Sequence, residues 1–276
     1  MISTTLQNFK KKPLFTVSLF IFLGLSIWWV YINFFFPEVN TNDKQLFAAS
    51  YQILALLGAI IGFWMGKQWG GYGSLLGKAL IFFSFGLLLQ SFGQTAYSYF
   101  IFFEKIVAPY PSIGDIGYFG SVIAYIFGII YLSKVSGFHF SWKSIQNKIY
   151  SIMIPLVILV VSYFFFLKGY EFDWSQKLKV FLDFGYPFGQ AIYVSIAILT
   201  LIVSRNVLGG TMKKPILFLI LALISQYISD FMFLYQANAG SWSAGGLNDY
   251  FYCISYFLMA VALINIGGMF IKIKNS

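Results

Sequence analysis

From Leu14 to Phe36 the chain runs for 23 residues without a charged side chain. A helix needs roughly 20 apolar residues to cross the hydrocarbon of a bilayer. Seven further stretches are of the same kind, so the eight lie at about 14–36, 45–66, 76–103, 114–135, 148–168, 179–204, 215–237 and 248–271. Strands of a membrane barrel would be about 10 residues of alternating character. These runs are continuous, so the chain reads as all-α: a polytopic membrane protein of eight transmembrane helices, forming one membrane domain over 1–276. The mean hydropathy of +0.78 and the 10% of charged residues agree, since soluble chains carry about 25%. Aromatic residues make up 21%, which suits a lipid-facing surface with interfacial anchors.

The charges are sorted between the loops. Glu38, Asp43, Glu104, Asp115, Glu171, Asp173, Asp183, Asp230 and Asp249 are all nine acidic residues. Each lies in an odd-numbered loop or in the part of a segment nearest one. The N-terminus (Lys10, Lys11, Lys12), the even loops (Lys67, Lys78, Lys134, Lys143, Lys148, Arg205, Lys213, Lys214) and the C-terminus (Lys272, Lys274) hold 13 of the 18 basic residues. Basic loops stay in the cytoplasm, so both termini are expected inside and the carboxylates outside. The same bias accounts for the net charge of +9 without a nucleic-acid partner. The partner this composition implies is the lipid bilayer, and the expected location is the plasma membrane of a prokaryote.

The first segment exceeds the about 7–15 apolar residues of a signal-peptide core and ends without a small-x-small site, so it reads as a retained helix. Cys253 is the single cysteine and His139 the single histidine. A zinc site gathers several nitrogen, sulfur or carboxylate ligands, and one loop histidine does not supply them. No metal and no cofactor are expected.

A weak internal repeat runs through the chain. A shift of 134 residues places Asp115 on Asp249, Tyr118 on Tyr252, Ser91 on Ser225, Leu87 on Leu221 and Leu89 on Leu223. A shift of 135 places Lys44 on Lys179 and Tyr51 on Tyr186. The expectation is a 4+4 duplication, with halves at 1–140 and 141–276. An even number of helices in each copy makes the copies parallel, related by an axis along the membrane normal.

The stretch Pro109-Tyr110-Pro111-Ser112-Ile113-Gly114-Asp115-Ile116-Gly117-Tyr118 resembles the PYPS-x-AD-x-x-Y signature of multi-helix membrane sensor modules. Such modules stand at the N-termini of bacterial diguanylate cyclases (GGDEF proteins). Leu182-Asp183-Phe184-Gly185-Tyr186-Pro187-Phe188-Gly189-Gln190 is similar to the D-x-x-YP-x-GD segment of the same module. Ser229-Asp230, followed by Gly240, Gly245 and Asn248-Asp249, fits its later part. The chain has Gly114 where the signature usually has alanine, and these 276 residues include no cyclase or kinase domain. The resemblance implies a sensory or ligand-binding membrane module acting through a separate cytoplasmic signalling protein.

Ionisable residues inside membrane segments are costly and mark function by default. Asp115, Asp183 and Asp249 lie at helix starts, where the helix dipole and free N–H groups favour a carboxylate. Ser112 with Asp115 also has the spacing of a capping box. Asp230 is different. It sits about seven residues before the outer end of its segment, roughly 10 Å down at 1.5 Å per residue, where the dipole opposes a negative charge. Tyr118, Tyr186 and Tyr252 each follow an aspartate by three residues and share its face. Gln190 lies two turns inward of Asp183, as a pocket floor. The candidate ligand-binding set is therefore Asp115, Tyr118, Asp183, Tyr186, Gln190, Asp230, Asp249 and Tyr252, with no catalytic residue named. The structural alternatives are helix-start stabilisation for the first-turn aspartates, interfacial anchoring for the tyrosines and interhelical bonding for the glutamines.

These features favour a membrane sensory module with an outward-facing acidic, Tyr-rich pocket for a small ligand. The alternative is a secondary transporter or channel for a cation or small amphiphile. An intramembrane aspartyl protease fits less well, because its Gly-x-Gly-Asp motif is missing. A retinal protein needs a mid-helix lysine, and every lysine here lies in a loop or at a helix end.

Overall fold

The computed structural model describes residues 2–35, 41–106, 108–136, 145–164, 170–204 and 213–274. Glu38, His139, Lys143, Lys168 and Arg205 lie outside them. Among the described residues there is no strand. The long helices are α1 (Ile2–Val30), α2 (Thr41–Ser50), α3 (Gln52–Gln68), α4 (Leu75–Tyr99), α5 (Gly114–Val135), α6 (Ile145–Ser162), α7 (Lys177–Ser204), α8 (Lys213–Asn238) and α9 (Leu247–Lys274).

Among the described residues seven stretches are long and apolar enough to cross a bilayer: Pro13–Phe35, Asn42–Gln68, Leu75–Glu104, Gly114–Val135, Trp174–Ile202, Ile216–Ala237 and Leu247–Gly267. They coincide with seven of the eight expected segments. The segment expected at 148–168 overlaps α6, in which the described apolar stretch is Ile152–Val161, and its residues 165–168 lie outside the described ones. Within the second span the helix tightens at Tyr51. The Leu54 N–H reaches back three residues to the Tyr51 carbonyl at 3.1 Å.

Six helices close a ring. α3 packs on α4, α4 on α5, α5 on α7, α7 on α8, α8 on α9, and α9 back on α3. Outside the ring, α1 lies chiefly against α9, and α6 against α7. The ring interior is filled by fully buried Leu80, Phe83, Leu87, Ile129, Leu263 and Tyr193, while Phe20, Ile27, Ile60 and Ile116 face outward. Such an apolar exterior is stable only in lipid.

In a bilayer, helices associate through close packing at small residues rather than through water exclusion. The seam between α4 and α5 follows this rule. A Cβ added to Gly117 would lie 2.4 Å from the Leu89 carbonyl oxygen and 2.7 Å from the Gly93 nitrogen. Two backbones therefore touch there, and only glycine fits.

The two ends of the bundle differ in charge. Lys67 ends α3, Lys78 begins α4 and Lys134 ends α5. The Nζ atoms of Lys78 and Lys134 both stand over the Tyr131 ring, at 5.6 and 5.7 Å from its centroid. At the opposite end α5 and α9 begin with Asp115 and Asp249 in their first turns. That carboxylate end holds the site.

Candidate functional site

A cavity of about 340 Å³ opens at the carboxylate end of the ring. Asp115, Tyr118, Tyr186, Asp230, Asp249 and Tyr252 all stand in its wall. Six of the eight expected residues, from four helices, thus meet around one space.

Each carboxylate in the wall is held by neutral donors. Asp115 Oδ1 accepts from the Tyr186 hydroxyl at 2.9 Å, which joins α5 to α7. Its Oδ2 accepts the Ser112 backbone N–H at 2.7 Å, while Ser112 Oγ accepts from the Gly114 N–H at 3.1 Å. The Ser112–Asp115 spacing thus acts as a local helix-start clasp. Asp249 is its counterpart at the start of α9. Its Oδ1 accepts from the Tyr51 hydroxyl at 3.2 Å and its Oδ2 from the Gly245 N–H at 2.6 Å. Gly245 has φ +71°, a conformation that a side chain would strain.

Asp230 has no such backbone role. Its donors are all side chains: Gln190 Nε2 at 2.5 Å, Gln226 Nε2 at 3.3 Å and the Tyr252 hydroxyl. It lies well inside α8, away from any helix start, and remains half-buried because one side faces the cavity. The sequence leads one to expect a partner for Asp230 among Gln94, Tyr186 and Tyr252 at the outer ends of neighbouring helices, and Tyr252 is in place. Gln94 and Tyr186 are engaged elsewhere. Gln94 Oε1 accepts from the Tyr118 hydroxyl at 2.7 Å and the Tyr51 hydroxyl at 3.1 Å, and Tyr186 serves Asp115.

Two expected residues stand behind the wall rather than in it. Gln190 is buried and acts by holding Asp230. Asp183 is also buried. Its oxygens accept from the Tyr110 and Tyr170 hydroxyls, each at 2.7 Å. These bonds fasten the segment before α5 and the segment before α7 to α7 itself. Asp183 therefore shapes the cavity through Tyr110, which does line it. Burial, and then the bond to Asp183, pushes the Tyr110 hydroxyl well above the usual phenol range. The same causes push Tyr170 up to about 12. Both phenols stay protonated and act as donors. Asp173, at the loop surface, is lowered by the Ser175 hydroxyl and N–H.

Several wall residues carry no signal of their role in the amino-acid sequence. Tyr51 entered only as a repeat match, yet it bridges Gln94 and Asp249. Tyr97 and Trp242 meet edge to face with centroids 5.9 Å apart, and Trp242 also meets Phe233 at 5.8 Å. These rings form the apolar side of the cavity. Asn248, 1% exposed, lines the cavity with both amide atoms unpartnered. The Tyr97 hydroxyl and Trp242 Nε1 are unpartnered as well. Loop tryptophans and a first-turn asparagine look like ordinary interfacial and capping residues until the loops are folded over the ring.

Among the described residues no three His, Cys, Asp or Glu side chains gather as a metal site. The carboxylates are spread around the wall, an arrangement that suits a ligand larger than an ion. No protein-family model, no curated protein and no solved structure matches this chain.

Proposed function

We propose that the chain is a membrane sensory or ligand-binding module whose cavity faces outward and takes a small organic ligand. The observation that carries this reading is the cavity itself. Three carboxylates with only neutral hydrogen-bond partners share about 340 Å³ with aromatic rings and unsatisfied amide and indole groups. Uncompensated buried charge and unpaired buried polar atoms each cost free energy. A site that keeps both is organised for something it binds.

The orientation follows from the charge bias, with both termini and the basic end in the cytoplasm. In this reading α6 supplies an eighth crossing, and the basic end is where a separate signalling protein docks. The sensor-module motif around Pro109–Tyr118 supports the same assignment, in a prokaryotic plasma membrane.

The duplication draws support from paired hydrogen bonds. Tyr186–Asp115 corresponds to Tyr51–Asp249, by shifts of 135 and 134. Gln90–Ser121, at 2.6 Å, corresponds to Gln226–Ser255, at 3.3 Å. Tyr118–Gln94 corresponds to Tyr252–Asp230. The last two pairs ask for a shift of 136 between α4 and α8, two more than the gap-free 134 that matched Ser91 with Ser225. The ring order α3–α4–α5 then α7–α8–α9 fits the same exchange.

A transporter or channel would use the same cavity. Against it, fully buried Leu80, Leu87, Ile129 and Leu263 pack the ring beyond Gln90. Thermal unfolding of the detergent-solubilised protein with a panel of small neutral, cationic and anionic amphiphiles, amines among them, tests the binding reading. Stabilisation in wild type that is absent in Asp230→Asn supports it. No stabilisation by any neutral, cationic or anionic compound at millimolar concentration rejects it.

A further inference from the structure

The two halves of the ring differ where they face the cavity. Tyr118 donates to Gln94 on one side, and Tyr252 donates to Asp230 on the other. Under the same exchange Gly114, which begins α5, corresponds to Asn248 near the start of α9. A neutral amide and a bare glycine on one side thus become a carboxylate and a carboxamide on the other. The tyrosine donor is kept in both halves, while Gln190 and Gln226 are added around Asp230.

Asp230 and Asn248 differ from Asp115 and Asp249 in that no backbone N–H of a helix start takes up their side chains. Asp115 and Asp249 each take a backbone N–H of their own helix start, so local structure accounts for them. Asp230 takes none. Its three neutral donors leave about one of the roughly four acceptor positions of a carboxylate open. Asn248 has both a donor and an acceptor unused, although it is 1% exposed. An amide with both ends free is matched by another amide. The indole N–H of Trp242, also unpartnered, adds a second donor for a carbonyl oxygen. Around these groups the wall is aromatic or aliphatic: Tyr97, Trp242, Phe233 and Leu234.

We infer that the cavity binds a small organic cation whose ammonium group sits on Asp230, whose neighbouring carboxamide pairs with Asn248, and whose apolar group lies against Tyr97 and Trp242. This rests on the ligand-binding reading above and narrows it to a chemical class, the α-amino amides. A free amino acid is disfavoured, because its carboxylate would enter a wall already carrying three. A bare metal ion lacks both the amide and the apolar part. The α-amino amide occurs as a free amino-acid amide and as the amino end of a peptide, and one titration series separates the two.

Isothermal titration of the purified protein in detergent at neutral pH, with five probes, tests the inference. The probes are phenylalaninamide, phenylalanyl-alaninamide, phenethylamine, N-acetylphenylalaninamide and phenylalanine. Phenylalaninamide or the dipeptide amide binds about tenfold more tightly than phenethylamine, the worth of one to two good hydrogen bonds. The tighter of the two names the source. N-acetylation, which removes the positive charge, weakens binding about 100-fold, and phenylalanine binds more weakly than its amide. Asn248→Ala brings phenylalaninamide down to the level of phenethylamine, and Asp230→Asn abolishes the preference for a charged amine. The wild-type series stands even if a variant fails to fold.

Equal binding of phenethylamine and phenylalaninamide overturns the carboxamide assignment. Equal binding of the acetylated compound overturns the ammonium assignment. Absence of binding by all five overturns the ligand class. The broader binding reading is judged apart from this, by the thermal panel with neutral, cationic and anionic compounds.

Discussion

Nε2 of Gln190 stands 2.5 Å from Oδ2 of Asp230, so the carboxylate set deepest in the cavity is held by an amide from the neighbouring helix. The pair joins α7 to α8 at a level where the helix dipole gives Asp230 no help. Its positions are 40 residues apart in the chain, and each looks isolated until the ring closes.

Replacing Gln190 by leucine removes that donor while keeping the side-chain bulk. A buried acceptor left without its partner costs about 1–3 kcal/mol. Gln190→Leu is expected to lower the thermal midpoint in detergent, and Gln190→Leu/Asp230→Leu to recover part of the loss. An unchanged midpoint for the single variant would show that Gln190 does not support Asp230.

Gly117 faces backbone rather than a movable side chain, so a larger residue there has nowhere to go. With a Cβ 2.4 Å from the Leu89 carbonyl oxygen, Gly117→Val is expected to cost about 1–3 kcal/mol or more. The comparison is Gly120→Ala on the same helix, whose Cβ meets only the flexible end of the Leu89 side chain, at 3.3 and 3.9 Å. It should fold at nearly wild-type stability. Equal losses at the two positions would remove the close backbone approach from the account.

The helical membrane class was legible because one physical constraint, the thickness of hydrocarbon, fixes both length and composition. Seven spans follow from it directly. The eighth expected segment, 148–168, is described only in part, as α6 with its apolar stretch Ile152–Val161. The carboxylates and their following tyrosines were legible because charge inside a membrane segment is rare and the i, i+3 spacing puts both on one face. What each tyrosine holds was not. Tyr118 reaches Gln94 rather than Asp115, and Tyr186 reaches Asp115 rather than Asp183. Those bonds run between helices, and their partners depend on which helices are neighbours. Asp183 looked like Asp115 in sequence, and only the fold shows Tyr110 and Tyr170 enclosing it. Trp242 carries no periodic signal, since its loop sets its position, and Asn248 in the first turn of α9 looks like an ordinary helix-start residue.

Tyr51 and Tyr186 occupy corresponding places, each donating to the first-turn aspartate of the next helix in the ring. Tyr51→Phe and Tyr186→Phe should each cost about 1 kcal/mol or somewhat more. The double variant should lose the sum, because each bond serves a different aspartate. A strong departure from additivity would mean that the two clusters are one.

Cysteines placed at Ser3 and Ser276, each in a separate variant, should both be protected from an impermeant thiol reagent in intact cells and react after permeabilisation. This follows from the basic residues at both termini. Labelling of either from outside would reverse or break the topology.

The central claim is an outward-facing cavity that a ligand can enter. Ala237 lies in the cavity wall near the end of α8 and is exposed, whereas the native Cys253 is buried. The rate at which Ala237→Cys reacts with an impermeant thiol reagent added to intact cells tests the claim most directly. Labelling from outside is expected, with wild type unreactive, and phenylalaninamide should slow it. Labelling that occurs only in inside-out vesicles would contradict the account.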